Sequence, residues 1–224
     1  GAGTWQAYQV HLALIYDDIR SQWQGVGDGK SLTLHGQFLG QDRGKGHAAL
    51  KIDWATELAW SAVIDMKSIH PAPSKYLALT QVTARLLAQG QGGNITVAVP
   101  TLQGRWFDLD FSANGQFKQT TPSTGTQRPA WQSDLTARIG QASLSWRGTI
   151  GDQVDGRLRL DVPEIAALYA RLSGAIKASM ELSGAASSPR LNGVFKIPSL
   201  RSDWAQLENG QGQWTYQMGT ASGL

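Results

Sequence analysis

Residues 107–118 read FDLDFSANGQFK, with an apolar or small residue at every odd position and a polar one at every even position. Successive side chains of an extended chain point to opposite faces. Phe107, Leu109, Phe111, Ala113, Gly115 and Phe117 therefore share one side, and Asp108, Asp110, Ser112, Asn114, Gln116 and Lys118 the other. The pattern predicts a strand with one dry and one wet face. What the dry face meets decides the fold: a second layer of protein, or something that is not protein.

The same period of two recurs along the chain. Leu32, Leu34, Gly36 and Phe38 alternate with polar residues, as do Leu58, Trp60, Ala62, Ile64 and Met66, then Ile95, Val97 and Val99. Later come Leu144, Trp146, Gly148 and Ile150, then Leu158, Leu160 and Val162, then Ile176, Ala178, Met180 and Leu182, and finally Leu191, Gly193, Phe195 and Ile197. Between the runs stand glycine-rich clusters that read as hairpin turns: GVGDGK (25–30), GQDRGKG (40–46), QGQGGN (89–94), GDQVDG (151–156), GAASSP (184–189) and ENGQG (208–212). The ambiguous stretch SKYLALTQVTARLLAQG (74–90) also alternates and reads mostly as strand. The expectation is an all-β chain of short antiparallel strands.

Four apolar strand ends run into proline, at Ile69–Pro71, Val99–Pro100, Val162–Pro163 and Ile197–Pro198. Proline cannot donate to a ladder, so each marks a place where pairing stops. After Pro163, EIAALYARLSG carries Ile165, Leu168 and Leu172 at helical spacing, with Gly174 beyond its end, which predicts one short amphipathic helix near 164–172. KQTTPSTGTQRPA (118–130) reads as a flexible loop, dividing the chain into sheet segments 1–117 and 131–224.

With 20 basic and 17 acidic residues among 224, and no basic run with interleaved aromatics, nucleic acid has little support as a partner. There is no cysteine, hence no disulfide and no thiolate metal site. No stretch approaches the roughly 20 apolar residues of a membrane span, and the chain opens on Gly-Ala-Gly rather than Met, so it reads as a soluble piece of a longer protein whose anchor lies elsewhere. The GDGKS at 27–31 lacks the preceding glycine of a phosphate-binding loop, and reads as a turn. His11, His35, His47 and His70 are scattered without metal-ligand spacing, and the acidic pairs Asp17/Asp18 and Asp108/Asp110 read as wet-face residues rather than a glycosidase dyad. The nine tryptophans read as structural. No catalytic residue, cofactor or metal site is expected, and the chain reads as non-enzymatic.

Residues 142–216 carry LDVPEIAALYARLSG, a strand ending in Leu-Ser-Gly, and SSPRLNGVF; residues 57–71 read ELAWSAVIDMKSIHP. These elements resemble the repeating block of the TamB family, AsmA-like proteins anchored in the inner membrane that reach through the periplasm to the outer-membrane barrel TamA. The resemblance implies a long antiparallel sheet curved lengthwise into an open groove with an apolar interior. It further implies a periplasmic segment attached to the inner membrane through a part of the protein outside this chain. Family members are several times longer, so the chain is expected to be an internal or C-terminal fragment.

Alternation by itself is shared by sandwiches and barrels; the resemblance selects the groove. On that reading the groove holds phospholipid acyl chains, lined by Leu32, Leu34, Phe38, Ile64, Val97, Phe107, Leu109, Phe111, Leu144, Ile150, Leu158, Leu160, Ile176, Met180, Leu182, Leu191, Phe195 and Ile197. Two alternatives stand beside it. One is a scaffold that docks TamA or a nascent barrel strand at a sheet edge. The other is a sugar-binding sandwich whose dry faces pack together.

Overall fold

The computed structural model describes residues 7–16, 19–40, 44–69, 79–107, 109–120 and 129–217. It contains fourteen strands: β1 (Tyr8–Tyr16), β2 (Ile19–Gly27), β3 (Ser31–Gly40), β4 (Gly44–Asp53), β5 (Ala59–Ile69), β6 (Leu79–Gln91), β7 (Asn94–Trp106), β8 (Leu109–Thr120), β9 (Ala130–Ile139), β10 (Ala142–Ile150), β11 (Gln153–Val162), β12 (Ser173–Ala185), β13 (Arg190–Arg201) and β14 (Gln206–Gln217). Their hydrogen-bonded order follows the chain from β1 to β14, so each strand has its sequence neighbours beside it and the sheet is not closed. The chain divides into two compact units, residues 1–116 and 117–224.

Hairpins form where the chain offers tight turn chemistry. Between β2 and β3, Asp28 Oδ1 accepts from the backbone N–H of Lys30 at 2.8 Å and of Ser31 at 2.7 Å. These bonds hold the Asp28 carboxyl below its ordinary pKa. The GDGKS stretch is thus a hairpin turn. Gly92 and Gly93 turn β6 into β7 at positive φ, as expected.

Several expectations need correction. The helix near 164–172 is a single 3-10 turn at Ile165–Ala167. The Glu164 carboxylate accepts from Ala166 N–H and from Gly174 N–H, both at 3.0 Å, so the segment is tied back to the start of β12 after one turn, too short to repay helix nucleation. ENGQG (208–212) is not a turn but the middle of β14. Phe107 is not in a strand: it sits at φ 52° in the turn before β8, 61% exposed, its ring edge-on to Trp106.

The prolines behave in two ways. Pro163 follows the last residue of β11, while Pro100 and Pro198 lie inside β7 and β13 at shifts of register, opposite Leu86 and Ile176 respectively. A bulge leaves a residue unpaired, which is what a residue without N–H requires. His70, Pro71, Asp17, Asp18 and Asp108 lie outside the described residues, as does most of 118–130, where Lys118–Thr120 continue β8.

No side chain among the described residues is completely buried, and the buried hydrophobics are Ala48, Ala84, Val154 and Val162. The chain exposes 15823 Å², against about 10,000 Å² for a globular monomer of 24.2 kDa. Among the described residues, the elements in substantial contact are ladder neighbours, plus the 3-10 turn against β12. Within each unit, therefore, no second layer of strands packs on the dry face among the described residues.

Candidate functional site: an apolar sheet face

Residues directly opposite in an antiparallel ladder share a face, so the register reads out each face row by row. In the first unit one row runs Leu12, Trp23, Gly36, Ala48, Ile64, Leu86. Beside it runs Val10, Gly25, Leu34, Leu50, Ala62, Ala88, Val97, and beyond that Tyr8, Gly27, Leu32, Ile52, Trp60, Gly90, Ile95. On the other flank are Leu14, Ser21, Phe38, Gly46, Met66, Ala84 and Leu102. The Phe111 ring lies against Gly104, two residues on from Leu102, which puts the half-buried side of β8, Leu109 and Phe111, on this face.

The second unit repeats the arrangement. Its central row is Leu135, Trp146, Leu158, Met180, Gly193, Trp214. Flanking it are Ala137, Leu144, Leu160, Ala178, Phe195, Gly212 on one side and Ser133, Gly148, Gly156, Leu182, Leu191, Tyr216 on the other. Ile150 pairs with Val154, Val162 with Ile176, and Ile197 with Gly210 at the margins. Of the residues that sequence reasoning assigned to a lining, all but Phe107 stand on the apolar face of their own unit.

These faces stay open to solvent. Leu12, Ile150 and Trp214 are 48%, 48% and 40% exposed, and most of the other large side chains are half-buried against their own neighbours. Two serines enter the named rows, beside the phenol-bearing Tyr8 and Tyr216 at their ends. Ser21 Oγ donates to the Leu14 carbonyl at 3.5 Å. Ser133, 3% exposed, accepts the Trp146 indole N–H at 2.7 Å and donates to the Gly148 carbonyl at 3.3 Å. Both serine hydroxyls are spent on the protein itself.

Sequence reasoning missed the function of the strand glycines. A Cβ on Gly36 would meet the Trp23 ring at 2.5 Å, on Gly46 the Phe38 ring at 2.0 Å, and on Gly90 the Trp60 ring at 2.3 Å. In the second unit Gly156, Gly193 and Gly212 seat Trp146, Trp214 and Phe195 in the same way. Each large ring lies flat over the missing side chain of the adjacent strand, a cross-strand pairing known to rescue glycine in sheets. The result is a face of even height built from residues of very unequal size. The signal was present in the sequence as Gly at alternating positions, but pairing each with an aromatic needs the register.

The opposite face carries most of the polar side chains, with Ala13, Ala49 and Val63 among them in the first unit. In the first unit His11, His35 and His47 stand there with Asp65, Gln22, Gln24 and Gln37 around a cavity of about 620 Å³. In the second, cross-strand ion pairs join Arg147 to Asp134 at 2.6 Å, Lys177 to Asp161 at 3.3 Å, and Arg157 to Glu181.

No helix among the described residues is long and apolar enough to cross a membrane. Together the ladder and its faces define a class: all-β chains built on an open antiparallel sheet whose strands each carry an apolar side. Within it the chain belongs to the TamB family, since residues 2–215 match the family model described as TamB, N-terminal domain. That is the N-terminal domain rather than the internal or C-terminal region the resemblance suggested. No curated protein and no solved structure matches the chain.

Proposed function

We propose that this TamB-family segment shields phospholipid acyl chains on the apolar face of its sheet during lipid transfer between the inner and outer membranes, in the periplasm, with the sheet curved into a groove around them. The observation that carries the reading is the set of continuous apolar rows in each unit, with large side chains such as Leu12, Ile150 and Trp214 open to solvent. A row crossing six strands spans about 24 Å at the usual strand spacing. A lipid tail occupies about half of a 30 Å hydrocarbon core, about 15 Å, so one row accommodates it. At about 0.8 kcal/mol per methylene, a tail of ordinary length is kept out of water by more than about 10 kcal/mol, and a dry lane removes most of that barrier. The role is non-enzymatic, because methylene burial asks for no nucleophile or proton carrier.

A second reading, in which the segment docks TamA or a nascent barrel strand, draws on β1 and β14, each of which pairs on one side only among the described residues. Photo-crosslinking separates the two. A photoreactive residue at Leu109 or Met180 in the full-length protein in cells is expected to give lipid adducts, and one at Asp110 or Glu181 none. Protein adducts alone from Leu109 and Met180 would overturn the acyl-chain reading.

A further inference from the structure

The polar face of the second unit carries seven cations on β9–β13 (Arg138, Arg147, Arg157, Arg159, Lys177, Arg190 and Lys196) against four carboxylates (Asp134, Asp155, Asp161 and Glu181). Three of the carboxylates are taken up by the ion pairs with Arg147, Arg157 and Lys177. Arg159 makes no ion pair or hydrogen bond among the described residues, and its position is singular. It stands directly opposite Ser145 on β10 and Ser179 on β12, so a guanidinium is flanked on both sides by hydroxyls. The row above is Arg147, Arg157, Glu181, and the row below is Asp161, Lys177, Lys196. Two cavities of about 680 and 390 Å³ meet at this point: both are lined by Ser145 and Arg159, the first continuing to Arg147 and Arg157 and the second to Lys177 and Lys196.

A planar guanidinium offers two parallel N–H donors, the geometry that a tetrahedral oxyanion accepts, and flanking hydroxyls supply donors to its remaining oxygens. Of the surrounding cations, Arg147, Arg157 and Lys177 are held in place by their own carboxylates. They raise the local potential without competing for the fork, while no carboxylate stands directly opposite Arg159. We propose that Arg159, with Ser145 and Ser179, forms a binding site for a phosphate-class oxyanion on the polar face of the sheet, separate from the apolar face and independent of the acyl-chain reading. A phosphate group reaches such a site from either of two sources, as free phosphate or as the headgroup of an anionic lipid.

The test is calorimetric titration of the whole chain with inorganic phosphate in low-salt buffer, alongside co-sedimentation with vesicles of phosphatidylglycerol and of phosphatidylcholine. The variants are Arg159→Gln, Arg159→Lys, Ser145→Ala with Ser179→Ala, and Arg190→Gln, an equally unpaired cation at another part of the face; circular dichroism checks that each is folded. Arg159→Gln is expected to weaken binding about tenfold, Arg159→Lys and the serine pair several-fold, and Arg190→Gln less than twofold. Binding of phosphate but not vesicles assigns free phosphate, and binding of phosphatidylglycerol but not phosphatidylcholine assigns the headgroup. Either supports the site. Failure of the wild-type chain to bind both probes overturns it, as does equal weakening by Arg159→Gln and Arg190→Gln, which would reduce the effect to net charge.

Discussion

Replacing Ser133 with alanine tests whether the apolar face is held flat by a specific polar contact beneath it. The Ser133 hydroxyl, 3% exposed, is the acceptor for the Trp146 indole N–H at 2.7 Å. The indole lies over Gly148 and Gly156, which leaves its N–H directed at Ser133. Alanine keeps the Cβ and removes only the acceptor, leaving a buried donor unpaired at a cost of about 1–3 kcal/mol. In a Trp146→Phe background the donor is gone, and the same substitution is expected to cost less than about 0.5 kcal/mol, giving a coupling of about 1–2 kcal/mol. With a urea m-value of about 2–3 kcal/mol/M, a loss of 2 kcal/mol moves the midpoint by about 0.7–1 M. Because among the described residues each strand is in substantial contact chiefly with its ladder neighbours, local opening is the sharper readout. Amides of β9–β11 are expected to exchange about thirtyfold faster in Ser133→Ala, with those of β13–β14 little changed. A loss below about 0.5 kcal/mol in the wild-type background, or an equal loss in both backgrounds, would refute the argument.

Two further outcomes follow from the same geometry. Gly36→Val places a Cβ 2.5 Å from the Trp23 ring at a buried position. The forced rearrangement is expected to cost about 1–3 kcal/mol, seen as a melting temperature lower by about 3–10 °C, and an unchanged melting temperature would refute the seating of rings on glycine. Asp28 has its folded pKa lowered, chiefly by the backbone N–H of Lys30 and then that of Ser31. Its contribution is therefore present above the ordinary carboxylate pKa and lost as pH falls through the lowered folded value. Amide resonances of Lys30 and Ser31 should titrate below the ordinary carboxylate range and become flat in Asp28→Ala; titration at or above that range would contradict the turn.

Much of this protein was legible before any coordinates. Alternation at Leu109, Phe111, Leu158, Leu160, Ile176 and Ile197 determined strand, face and fold class, because a period of two has one structural meaning when it is sustained over many residues. Turn chemistry at 28–31 and 92–93 was equally local and equally readable. The misreadings came where a local signal has two outcomes. Glycine at 208–212 spells a turn in one dimension, yet in the ladder Gly212 is the seat of Phe195 and β14 runs straight through. Helical spacing after Pro163 was genuine, but the Glu164 carboxylate bridging to Gly174 returns the chain to the sheet first. Proline inside β7 and β13 is permitted only because the partner strand slips past it.

Tertiary structure alone decided which dry residue stands beside which. The sequence by itself determined that there would be a dry face, since that follows from each strand's own side chains. Whether another layer covers the face, which ring lies on which glycine, and that Arg159 stands between two serines all depend on contacts between residues distant along the chain. No local pattern encodes those contacts, and only the register of the ladder fixes them.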